Sequence, residues 1–161
     1  FIPIGAEYAR VVDLIAERRI DAALAIEPNM SAGEERGVLR IWAAAYDEPY
    51  LPVFQWTVLV ASDELARNDP GLLRALLRAY ARSARAASRD VEEYISFVAE
   101  IFDLPPGVAR RSVLREVGHY ELDCRLDQPG LRKAIALQTS LNALARPVTV
   151  DEVVDSRYLP S

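Results

Sequence analysis

From Ser62 onward the chain is punctuated as one helix after another, and this succession constrains the fold more than any other feature. Ser62 suits the cap of a short helix, and Asp69 stands at a second cap with Pro70 in the first turn, where a missing N–H costs nothing. A helix from Pro70 to about Ser88 would be about 30 Å long at 1.5 Å per residue. Asp90 and Glu93 open another that ends near "DLPPG", Pro106 to Val117 makes a third, and Asp127 caps a fourth running from Pro129 to about Ala145. Thr149 and Glu152 cap a last short helix before the closing "SRYLPS".

The chain ahead of Ser62 follows a different pattern. Tyr8, Val11, Val12, Ile15 and Ala16 recur at helical spacing, and Arg18 and Arg19 suit the negative end of that helix. The apolar run Ile20 to Ile26 reads as a short buried strand, "SAGEERG" as a compact helix with Ser31 and Glu34 at capping-box spacing and Gly37 as its terminator, and "VLRIWAAAY" as a further strand. Residues 53–62, "VFQWTVLVAS", are rich in β-branched and aromatic types and read as a strand. Strand, helix and strand with short links suggest a parallel pair joined by a right-handed crossover. The expected class is therefore α/β with a helix-rich C-terminal half.

At 161 residues the chain fits one ordinary domain, large enough to bury roughly 70% of its unfolded surface. Its residues are 51% hydrophobic and 27% charged, the balance of a soluble globular protein. The strongest apolar run, near Val58 to Ala61, is far short of the roughly 20 residues that cross a bilayer. A net charge of -5 argues against a general nucleic-acid binder. The lone Cys124 has no partner for an internal disulfide and reads as a small core hydrophobe. The chain opens at Phe1 in what reads as the end of a strand, so Phe1 is taken as a cut end with any export signal upstream.

Glu27 and Pro28 directly follow the apolar run, where a strand neither hides a carboxylate cheaply nor continues its ladder. In open α/β sheets ligands collect outside the carboxyl ends of strands. Glu27 would then face a cleft and accept hydrogen bonds from an amine, amide or ring nitrogen, while Asn29 or Ser31 begins a helix whose free N–H groups point at the same space. The alternative reading has Glu27 capping that helix or pairing with an arginine. Tyr46 and Asp47, after the next strand, share this ambiguity, and Trp56 is either packing or a stacking platform.

Arg74, Arg78, Arg82, Arg85 and Arg89 line one face of the long helix, opposite Leu73, Leu76, Leu77, Tyr80 and Ala84. This stripe reads as a solvated, partly paired face, with docking to an acidic surface as the sharper alternative. His119 is the only histidine and "REVGHYELD" carries no nucleophile elbow, so no catalytic residue is assigned. No metal site and no cofactor are expected, because a single histidine excludes a multi-histidine site and no spacing of acids matches a calcium loop.

Three segments, "RRIDAALAIEP", "TVLVASDELARNDPGLLRALLRAYARSA" and "RPVTVDEVVDSRYLP", together resemble the second half of the solute-binding proteins of ABC transporters, in the nitrate, sulfonate, taurine and thiamine-precursor group. The resemblance implies a partial periplasmic-binding-protein-like fold of type II. Residues 1–48 would be the latter part of the second α/β lobe, and 49–161 the crossing strand and the helical return to the first lobe. It implies a protein that makes and breaks no bond. A small organic molecule or oxyanion would be captured between the lobes, at Glu27, Asn29, Tyr46, Asp47 and Trp56, and presented to a membrane permease.

The setting implied is periplasmic, or extracellular and membrane-anchored. A ligand-sensing regulatory domain of the same fold is the first alternative; an enzyme akin to the thiamine-pyrimidine-precursor synthases is the second. The opening strands of both lobes are missing from this span, so uncovered sheet edges and apolar faces would lead an isolated fragment to form a homodimer, swap elements or depend on the rest of the chain.

Overall fold

The structure is a computed structural model and describes residues 7–44 and 57–159. Among the described residues the regular structure is helical: α1 Arg10–Ala16, α2 Asn29–Glu35, α3 Asp63–Asn68, α4 Pro70–Arg89, α5 Val91–Ile101, α6 Pro106–Glu116, α7 Gln128–Ser140 and α8 Val150–Val153, with single 3-10 turns at Val117–His119 and Ser156–Tyr158.

The helices begin where side chains replace their missing carbonyl partners. Ser62 Oγ accepts the Leu65 N–H at 3.1 Å and starts α3, and the Asp69 carboxylate accepts the Leu72 N–H at 2.8 Å in the first turn of α4. Asp127 accepts the Gly130 N–H at 3.1 Å at the head of α7, and Thr149 with Glu152 completes a capping box on α8. The helices stop where the backbone turns left-handed. Gly37, at φ 64°, follows α2 and donates to the Glu34 carbonyl at 2.9 Å, while Val38 donates to Gly33 at 3.0 Å, the paired bonds of a Schellman ending. Asn142, at φ 53°, closes α7 before the expected limit near Ala145.

The strands expected at Ile20 to Ile26, in the described part of "VLRIWAAAY" and in the described part of 53–62 do not form: no strand is present among the described residues. A strand exists only through a neighbour's ladder, and no described segment pairs with these stretches. Nor is the first of them buried, since Leu24 is 73% exposed and Ile26 38%. The α/β expectation is thus met only in its helical part. The expected capping box of Ser31 and Glu34 is also replaced, because α2 begins two residues before Ser31.

The chain divides into two compact units, one drawn from Phe1–Ala43 and Ala86–Tyr120, the other from Ala44–Arg85 and Glu121–Ser161. In the first, α5 and α6 pack around Ile95, Val98, Ala109 and Val113, with Val91, Tyr94, Leu104 and Val117 against them. Val11, Val12 and Leu14 of α1 and Val108 of α6 are also buried. Side chains of this size contribute about 1.5 to 3 kcal/mol each when fully buried. Gly33 of α2 is close-packed, since a Cβ there would lie 2.5 Å from Leu39 Cδ2.

In the second unit Ala81, Ala134 and Val150 are buried. The Tyr158 hydroxyl donates to the Ala66 carbonyl at 3.1 Å, and the Cys124 thiol donates to the Leu77 carbonyl at 3.6 Å. The arginine stripe of α4 is partly paired: Arg85 with Asp123, Arg89 with Asp90, and Arg74 over the Tyr158 ring at 5.4 Å.

Candidate functional site, an acid-lined cavity beside helix α2

Pro28 follows Glu27, and the first turn of α2 folds back on both. The Ile26 carbonyl accepts the Asn29 N–H at 3.1 Å, which brings Ser31 over the Glu27 side chain. Glu27 Oε2 accepts the Ser31 N–H and Oε1 accepts the Ser31 hydroxyl, both at 3.1 Å. The carboxylate therefore satisfies an amide at the head of α2 that has no carbonyl partner inside the helix.

A cation from α6 completes the arrangement. Arg115 Nη1 donates to Glu27 Oε1 at 2.9 Å, and its other nitrogen pairs with the Glu34 carboxylate. The Glu27 side chain is 2% exposed and that of Arg115 28%. Burial depresses the Arg115 pKa, and the bonds with Glu27 and Glu34 outweigh it, so the pKa stays above its ordinary value. Arg111 pairs with Glu35 one turn earlier and supplies a second tie between α6 and α2.

A cavity of about 180 Å³ opens on the other side of Glu27. Val98 of α5 and Phe102 just after it, with Ser112 and Val113 of α6, form its less polar wall, and Tyr94, Tyr120 and Glu116 bring the polar groups. The hydroxyls of Tyr94 and Tyr120 lie 3.3 Å apart, with their rings edge to face at 6.2 Å. No hydrogen bond from a described residue reaches the Glu116 carboxylate. Burial pushes its pKa above the usual range, the nearby Glu27 charge adds to this, and His119 works against both. The lining is rich in acceptors and negative in charge.

Of the residues singled out in the sequence, Glu27 borders this cavity and Asn29 heads α2 without lining it. Tyr46, Asp47 and Trp56 lie outside the described residues. Arg115, Glu116, Tyr94 and Tyr120 were missed. A signal for two of them existed, because Arg115 and Glu116 fall three and four residues after the buried Ser112, itself four after the buried Val108, which places charge on the packed face of α6.

Elsewhere the chemistry is muted. Burial pushes the Cys124 thiol up, which keeps it protonated. Among the described residues no group of three or more His, Cys, Asp and Glu side chains is placed to hold a metal ion, and no helix is long and apolar enough to cross a membrane.

The family model described as NMT1/THI5 like matches residues 3–93, more than half of the chain. The chain belongs to the NMT1/THI5-like family. Most members of this family are ABC solute-binding proteins of the nitrate, sulfonate and thiamine-precursor kind, with a periplasmic-binding-protein-like fold, and it includes the synthase-like THI5. No curated protein and no solved structure matches the chain. In this NMT1/THI5-like chain the matched span contains Glu27 and Asn29 and ends within α5, ahead of Tyr94 and Glu116.

Proposed function

We propose that the chain is the solute-binding component of an ABC transporter and carries a small organic molecule or oxyanion to a membrane permease at the periplasmic or extracellular face. Membership of the NMT1/THI5-like family over residues 3–93, the span that holds Glu27, is the observation that carries this reading. Residues 1–48 would form the latter part of one lobe, and 49–161 the crossing strand and the helices that return to the other. Ligand would bridge the lobes at Glu27, Asn29, Tyr46, Asp47 and Trp56 and shift the population toward a closed form, by as much as its affinity differs between the two forms.

The bonds that Glu27 accepts from Ser31 and Arg115 support a carboxylate fixed in place before ligand arrives, which lowers the cost of ordering it on binding. A synthase-like role is the second reading, since THI5 belongs to the family; a solute-sensing regulator is the third. A thermal-shift screen of the full-length protein against anionic, zwitterionic, cationic and neutral small solutes tests the proposal. At least one class should raise the Tm and be recovered chemically unchanged. Absence of any shift, or conversion of the solute, would overturn the binding reading.

A further inference from the structure

We infer that the cavity between α2, α5 and α6 binds a small organic cation, with its ammonium group beside Glu116 and the rings of Tyr94 and Tyr120. This deepens the solute-binding reading and rests on it. The cavity is built for positive charge on three counts. Its two acids come from different elements, Glu27 from the segment ahead of α2 and Glu116 from the end of α6. The nearest guanidinium, on Arg115, is already engaged by Glu27 and Glu34 and does not line the cavity.

Three of the remaining lining residues are aromatic. Tyr94, Tyr120 and Phe102 line the cavity, and aromatic rings attract a cation, the more so when water is excluded. Glu116 stands half-buried and accepts no hydrogen bond from any described residue, a cost that an N–H donor would remove. The volume, about 180 Å³, suits a ligand of a few heavy atoms rather than a drug-sized one. An anion would meet two carboxylates, and a neutral solute would bring Glu116 no charge beyond that of His119.

Calorimetric titration of the full-length protein with n-butylammonium, n-butanol and n-butyrate tests this. The cation should bind, with the alcohol and the carboxylate at least about tenfold weaker. Glu116→Gln should weaken the cation by about tenfold or more and Tyr94→Phe far less, because the ring face remains. Glu64→Gln, an exposed change on α3, should leave binding unaltered. Equal affinity for all three probes, no binding of the cation, or a cation affinity untouched by Glu116→Gln in a variant that still melts cooperatively would overturn the inference. In each of those cases a Tm rise with some other solute class would leave the solute-binding reading standing.

Discussion

Glu27 and Arg115 stand 88 positions apart in the chain and meet at 2.9 Å, the carboxylate almost wholly buried and the guanidinium shared with Glu34. This pair ties the segment ahead of α2 to α6 and fixes one wall of the acid-lined cavity. Removal of one partner strands the other, and a buried unpaired carboxylate is costly. Arg115→Met is therefore expected to destabilise the protein by about 3 kcal/mol in urea titration. With Glu27→Gln the double variant should lose less than the sum of the singles, and a loss below about 1 kcal/mol for Arg115→Met would contradict the pairing.

Gly33 is held by packing rather than by its backbone angles. A Cβ at this position would lie 2.5 Å from Leu39 Cδ2, 2.7 Å from Leu39 Cγ and 3.4 Å from Val12 Cγ2. Gly33→Ala should cost about 1 to 3 kcal/mol despite the better helix propensity of alanine. Most of that cost should vanish when it is measured against Leu39→Ala. An equal penalty in both backgrounds would place the strain elsewhere.

Two carboxylates should shift stability with pH in opposite senses. Bonds from Arg157 hold Asp155 at about 2, below its ordinary 3.8, so its contribution is present above 3.8 and is lost as pH falls toward 2. Glu116 lies above its ordinary 4.5, through burial first and the Glu27 charge second, so the native state holds the proton more tightly than the unfolded chain. The Glu116 contribution therefore falls as pH rises from 4.5 through its higher native value. The groups bearing on Glu116 are Glu27 and His119, with Arg115 paired to Glu27 and the Tyr94 and Tyr120 hydroxyls across the cavity. NMR titration should place Asp155 near 2 and return it toward 3.8 in Arg157→Gln, while Glu116→Gln should flatten the slope just above pH 4.5.

Trp42 is 86% exposed and Leu24 73%, in segments of the first unit that have no strand partner among the described residues. Large apolar groups left in water favour association. The 161-residue chain is expected to sediment above its monomer mass of 17.9 kDa, and Trp42→Glu to lower the apparent mass. A monodisperse monomer with a cooperative melt would contradict this.

Short-range chemistry was legible in the sequence, and long-range chemistry was not. Ser62, Asp69, Asp127 and the Thr149 and Glu152 pair announce the starts of α3, α4, α7 and α8, because each cap bonds within three residues of itself. The Ile20 to Ile26 stretch carries strand-forming residues, yet its ladder depends on a neighbour that local pattern does not supply. Glu27 was recognised as out of place after an apolar run. Its bond to Ser31 lay within reach of local reasoning, but its pairing with Arg115 required the packing of α2 on α6.

The NMT1/THI5-like assignment and the capture of a solute are tested most directly by native mass spectrometry of the full-length protein as it is purified from its source. A retained small molecule, released intact on denaturation and rebound on titration, is the predicted result. Protein that carries no adduct and binds none of the anionic, zwitterionic, cationic or neutral solutes offered would contradict the account.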